Sequence, residues 1–162
     1  MHGTVLSEGK APESTRQSAK PYLLSSGSES VVPDAMFGLE YRHEGRKAFR
    51  FFALEADRGT MPIARATNLG TSVMAKLGAY QNVLAREVHR SRLGVPDLLV
   101  LTVTTERNRC AELVQRFGER AGEAPQFLFQ AAANSGVLVH PDAGPLANPW
   151  DRPCLTPLRI DR

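Results

Sequence analysis

Two alternating apolar runs, from about Asp34 to Arg42 and from about Ala48 to Ala56, limit the possible folds of this chain more than any other feature, because only Glu44-Gly45 and its neighbours separate them. Residues two apart share one face of a strand, so each run has an apolar side to bury. Glycine supplies the positive φ that a tight hairpin turn demands. With Glu44-Gly45 at the tip, Asp34 lies directly opposite Glu55, with Cβ atoms about 5 Å apart. Asp57, two residues further on, projects from the same face as Glu55. Acids are poor strand formers, so three carboxylates gathered at one end of one sheet face require a reason. They are either strand-end polar residues and turn caps, or ligands of a metal ion.

After the hairpin the period changes. From about Thr71 to Arg92, Val73, Leu77, Tyr80, Leu84 and Val88 form a stripe at helical spacing, and Gly94 and Pro96 supply the stop. Tyr80 reads as core, and Lys76 sits at the border of the stripe, one turn earlier. The run DLLVLTVT, residues 97 to 104, is apolar on both faces, as a strand inside a parallel arrangement should be. Cys110, Leu113, Val114 and Phe117 mark a second amphipathic helix, and QFLFQAA, residues 126 to 132, a last strand. The expected fold is therefore α/β in the order ββαβαβ, a mixed sheet in which an antiparallel hairpin is followed by parallel strands with right-handed crossovers and flanking helices.

This core, residues 31–132, stands between two stretches of different composition. Residues 1–30 are rich in Ser, Gly, Lys and Glu and read as a disordered polar arm. Residues 133–162 carry Pro141, Pro145, Pro149, Pro153 and Pro157, which excludes helix and central strand and leaves an extended tail, with Trp150 available to pin it to the domain. No apolar run approaches the roughly 18 residues of a membrane span. Two cysteines without a CxxC companion, and no charged-then-apolar leader, point to a reducing cytoplasm and away from a zinc site. A net charge of +3 permits a polyanionic partner without demanding one.

The stretches VVPDAMF, LEADRGT and KLGAY, in that order, carry a resemblance. A Pro-Asp at the start of one strand and Glu-x-Asp at the end of its antiparallel neighbour, followed by a helix and a parallel strand, resemble the core of the PD-(D/E)xK nuclease-like superfamily. The three motifs together are similar to the signature of the replication-relaxation family, bacterial and often plasmid-encoded proteins linked to plasmid replication, over roughly residues 31 to 120. The resemblance implies a restriction-endonuclease-like domain that acts on DNA, often preceded by a winged-helix domain. The first 30 residues are too few and too polar to supply that domain, so the chain resembles the C-terminal part of such a protein, a truncated or separately encoded copy.

Phosphodiester cleavage needs a divalent cation to neutralise developing charge and activate a water, and Mg²⁺ (or Mn²⁺) accepts a few carboxylates with several retained waters. Asp34 and Glu55 are the expected metal ligands. Asp57 occupies the position where the nuclease pattern has lysine, and Lys76 on the following helix is the candidate to replace it, against the alternative of a solvated lysine lying along the helix. Arg58 and Thr60, after the second strand, and Arg86, Arg90 and Arg92, at the end of the long helix, are candidate phosphate contacts; the alternatives are a turn and a solvated face that suits the helix dipole. His43 and His140 have no companion at metal-ligand spacing. An inactive module that binds a replication protein is the competing functional expectation.

Overall fold

A computed structural model describes residues 22–64, 72–132, 146 and 148–161. The hairpin forms as its turn chemistry dictates. Strand β3 (Ala35–His43) and strand β4 (Arg46–Asp57) pair antiparallel from His43↔Arg46 to Ala35↔Leu54. Glu44 and Gly45 at the tip have φ of 48° and 77°, the double left-handed turn whose twist matches that of the strands it joins.

Two short strands precede this hairpin. β1 (Leu24–Ser26) and β2 (Glu29–Val31) form a separate antiparallel ribbon in what composition marks as a polar arm. Its two buried apolar side chains, Leu24 and Val31, join the core around the first helix. Residues 1–21, the rest of the expected arm, lie outside the described residues.

The expected long helix is two. Ser72 caps α1 (Val73–Ala85) by accepting a hydrogen bond from the Ala75 amide, and α2 (Val88–Leu93) follows after Glu87, whose φ is 52°. The apolar stripe runs through this break without a change of period, which is why spacing alone gives one helix. Thr71, the expected start, lies outside the described residues. Strand β5 (Leu99–Thr104) then pairs parallel with β4, and after α3 (Arg107–Ala121) strand β6 (Phe127–Ala131) pairs parallel with β5.

The C-terminal stretch is not a plain extended tail. β7 (Trp150–Arg152) and β8 (Leu155–Leu158) complete a six-stranded mixed sheet in the order β3-β4-β5-β6-β7-β8. The prolines adapt to it: Pro153 falls in the tight connection and Pro157 in the edge strand, where a missing amide is tolerated. Pro141 and Pro145, and His140, lie outside the described residues.

The sheet has two unlike faces. Ala53, Val100, Phe127 and Phe129 point toward α1 and α3, where Leu77, Tyr80, Leu113 and Phe117 close the larger core. Both helices lie on this face because successive crossovers of one hand advance in one direction across the sheet. Phe52, Leu101 and Leu128 point the other way and are covered by Trp150 and Ile160, both from the C-terminal segment. Among the described residues no helix is long and apolar enough to cross a membrane.

Candidate functional site

Extending the β3–β4 register by one pair sets Asp34 against Glu55. The Asp34 amide donates to the Leu54 carbonyl at 3.0 Å, and its Oδ2 accepts from the Ala56 amide at 2.8 Å. Glu55 lies on the helix-facing side of β4, with its side chain 8% exposed. Above it stands α1. Residues four apart share one face of a helix, so Lys76 and Tyr80 both reach Glu55 from the same side. The Tyr80 hydroxyl donates to Glu55 Oε1 at 2.5 Å, and the Lys76 ammonium pairs with Oε2. Lys76 Nζ also lies 4.0 Å from Asp34 Oδ1. The lysine is therefore turned inward onto two carboxylates rather than out along the helix.

Burial pushes the Glu55 carboxyl above its usual range, while the hydrogen bonds from Lys76 and Tyr80 pull it down and the charge of Asp34 adds to the rise. Tyr80 is pushed up by its burial and by the charge of Glu55. It is thus held as a neutral phenol whose hydroxyl donates to Glu55.

Asp57 has a different partner. Arg109, from the first turn of α3, forks onto it, with Nε at 2.5 Å from Oδ2 and Nη2 at 3.0 Å from Oδ1. The Gly59 amide donates to Oδ1 at 3.1 Å, and Arg109 Nη2 also donates to the Met61 carbonyl at 2.5 Å. Both side chains are largely buried. This bidentate pair ties the strand end to α3 and fixes the loop that carries Arg58 and Thr60. That loop in turn meets the start of α1, where the Met74 amide donates to the Ile63 carbonyl at 2.9 Å.

These residues enclose a cavity of about 200 Å³ whose lining includes Asp34, Glu55, Arg58, Thr60, Lys76 and Thr102. Asp57 lines it as well. Of the nine expected site residues, six, Asp34, Glu55, Asp57, Arg58, Thr60 and Lys76, thus share one cavity. Arg86, Arg90 and Arg92 stand apart. Arg86 lies beside the Gly27 turn, and Arg90 is held by Glu87 and by the Pro96 carbonyl. Arg92 is exposed on α2.

Three residues of the site are not among those the sequence marks as functional. Tyr80 reads as core because its ring is in the stripe, although a phenol four residues after a lysine signals a shared target. Arg109 has no local signal, being 52 positions from the acid it binds. Thr102 interrupts an apolar run and pairs in register with Glu55; its buried hydroxyl has no hydrogen-bond partner among the described residues.

Among the described residues no group of three or more His, Cys, Asp or Glu side chains is placed to hold a metal ion. A divalent cation would rest on Asp34 and Glu55 with water completing its shell. That fits Mg²⁺, which binds through one or two carboxylates and retains several waters, and a water occupies about 30 Å³, so the cavity has room. The Lys76 ammonium is itself a cation held between the same two carboxylates. Family models, curated proteins and solved structures offer no match to the chain.

Proposed function

We propose that this protein processes nucleic acid through a nuclease-like site, in the manner expected of a replication-relaxation type protein with a restriction-endonuclease-like core. The observation that carries the reading is the convergence of Asp34, Glu55 and Lys76, from three separate elements, on one cavity at the end of β4. The order hairpin, helix, parallel strand around that cavity supports it. Asp34 and Glu55 would hold Mg²⁺ or Mn²⁺, which when bound neutralises charge on a phosphodiester and lowers the pKa of a coordinated water. Tyr80 fixes the Glu55 carboxylate by donating to one oxygen. Lys76 brings three N–H donors and a positive charge to the same cavity, where it orients an attacking water or a phosphate oxygen. Arg58 and Thr60 at the rim suit phosphate contact.

A second reading, a non-cleaving module that engages DNA or a replication protein, is favoured by one observation. Asp57 stands where the nuclease pattern has lysine and is locked by Arg109, so that position supplies no cation to the site. Nicking of supercoiled plasmid, read beside Mn²⁺ binding by calorimetry, separates the two. The nuclease reading expects Mn²⁺ binding that is lost in Asp34→Asn and Glu55→Gln and retained in Lys76→Met, with nicking lost in all three. Nicking that persists in Glu55→Gln or without any divalent ion would overturn it.

A further inference from the structure

The β3–β4 hairpin is longer than the sheet it belongs to. Pairing of β4 with β5 begins only at Phe52, so Arg46 to Phe51 and their partners on β3 form a two-stranded ribbon with no third strand among the described residues. Nine consecutive residues, 42 to 50, are exposed. Arg42, Arg46, Lys47 and Arg50 face only Glu40 and Glu44 among the acids of this ribbon, which leaves it at +2 in a chain of net charge +3. Strand alternation divides the cations. Arg42 and Lys47 share one face and both pair with Glu40, whereas Arg46 and Arg50 project from the other. Phe49, 47% exposed, stands among them. At the base of the ribbon Arg50 lies over the Tyr41 ring, whose hydroxyl donates to the Ile160 carbonyl, whereas Arg42, Arg46, Lys47 and Phe49 further out are exposed and outside both cores.

The ribbon is not alone on its side of the molecule. Arg50 and Phe51 at its base line a cleft of about 500 Å³ together with His89, Arg90 and Asp97, so the ribbon and α2 border one concave surface. This surface lies toward the starting ends of β5 and β6, away from the Asp34–Glu55 cavity. From Arg46 to Glu55 is nine residues of strand, about 30 Å at about 3.4 Å each, close to one turn of B-DNA.

We infer that the β3–β4 ribbon is a duplex-DNA-binding element that enters the major groove, with Arg46 and Lys47 at its tip on the phosphates and Phe49 against base edges. The major groove, about 12 Å wide, admits a two-stranded ribbon, and an apolar side chain there meets the thymine methyl. The A-form groove of double-stranded RNA is too deep and narrow for one. The inference rests on the proposal that nucleic acid is the partner, but not on the metal site or on cleavage.

The test is the salt dependence of binding to a labelled DNA duplex of about 24 bp, two turns, beside an RNA duplex of the same length. Each lost phosphate contact lowers the log-log salt slope by about 0.9. Arg46→Ala/Lys47→Ala, at exposed positions where folding is preserved and checked by circular dichroism, is expected to bind DNA more weakly, with a slope lower by about 1.8. Phe49→Ala is expected to weaken DNA binding with the slope unchanged, and double-stranded RNA to bind more weakly than DNA. Wild-type slope and affinity in the double variant, or equal affinity for the two duplexes, overturns the ribbon assignment. No binding of the wild-type protein to any duplex overturns the nucleic-acid reading itself. Ribbon-dependent binding without nicking leaves the ribbon standing and removes only cleavage.

Discussion

Replacing Lys76 by Met tests whether the ammonium is a working part of the Glu55 environment. Met keeps the length and most of the apolar stem but removes the charge. A hydrogen bond to a charged group contributes about 1.5–3 kcal/mol. The Lys76 side chain is 33% exposed, so water screens the pair and the lower figure, about 1.5 kcal/mol, applies. Glu55 is held above its ordinary carboxyl range chiefly by burial. Its contribution to stability is therefore full below the unfolded value of about 4.3 and falls as pH rises through the folded value. Without Lys76 the folded value rises further, so the penalty is near zero at pH 4, grows by at most about 1.4 kcal/mol per pH unit, and levels off once Glu55 is ionised in both proteins. At a urea m-value of about 2 kcal/mol/M, the midpoint at pH 8 drops by about 0.7 M. Urea unfolding of wild type, Lys76→Met, Glu55→Gln and the double variant at pH 4, 6 and 8 reads this directly. A Lys76→Met penalty that is the same at all three pH values, or that persists in the Glu55→Gln background, refutes the coupling.

Arg109→Met should destabilise by about 3–4 kcal/mol, because it leaves the Asp57 carboxylate buried with only the Gly59 amide; adding Asp57→Ala should recover part of that loss in a double-mutant cycle by chemical denaturation. Trp150→Ala should cost about 3–5 kcal/mol, since the ring is 1% exposed in the core under the second sheet face. As Trp150 is the only tryptophan, native emission should be blue-shifted and shielded from acrylamide, and exposed emission in the folded protein would show that the C-terminal strands do not close that face.

The hairpin was legible because its register has a local cause. Glu44 and Gly45 fix the tip, alternation fixes the faces, and the two together place Asp34 beside Glu55 without any knowledge of the rest of the chain. The meeting of Lys76 with Glu55 was half legible: spacing puts the lysine beside Tyr80 on one helix, but how far that helix overhangs β4 depends on the loop that precedes it. The helix break at Glu87 was not legible, because the stripe from Leu84 to Val88 keeps its period while the backbone turns. Nor were β7 and β8. Proline content argues against a strand in general, yet these strands are short and lie toward the sheet's edge, and Trp150 and Ile160 provide the apolar burial that docks them. For β1 and β2 the same reasoning holds on a smaller scale. Leu24 and Val31 are too sparse to give a periodic signal, and only their packing against α1 makes the ribbon.

The pairing of charges decides which acids are free to act. Asp57 has both carboxylate oxygens on Arg109 and one also on the Gly59 amide. Recruiting it to an ion would strand a largely buried guanidinium, a loss of several kcal/mol, so Asp57 serves to hold the strand end on α3 and is excluded as a ligand. Glu55 is bound differently on its two oxygens. Oε1 faces the fixed phenol of Tyr80, whereas Oε2 faces an ammonium on a flexible four-carbon stem that is partly in water. Lys76 can give up Oε2 at small cost, and Asp34, whose side chain is 50% exposed, keeps one oxygen free of short contacts while the Ala56 amide holds the other. Asp34 and Glu55 are thus the two acids of the trio that could accept a divalent ion without breaking the fold. The lysine that balances their charge in the ion's absence is the same group that the proposed chemistry requires beside the phosphate. Lys76→Met should accordingly bind Mn²⁺ at least as tightly as wild type, because a competing cation is gone, while failing to nick DNA; weaker Mn²⁺ binding in that variant would mean that Lys76 positions the carboxylates rather than competing for them.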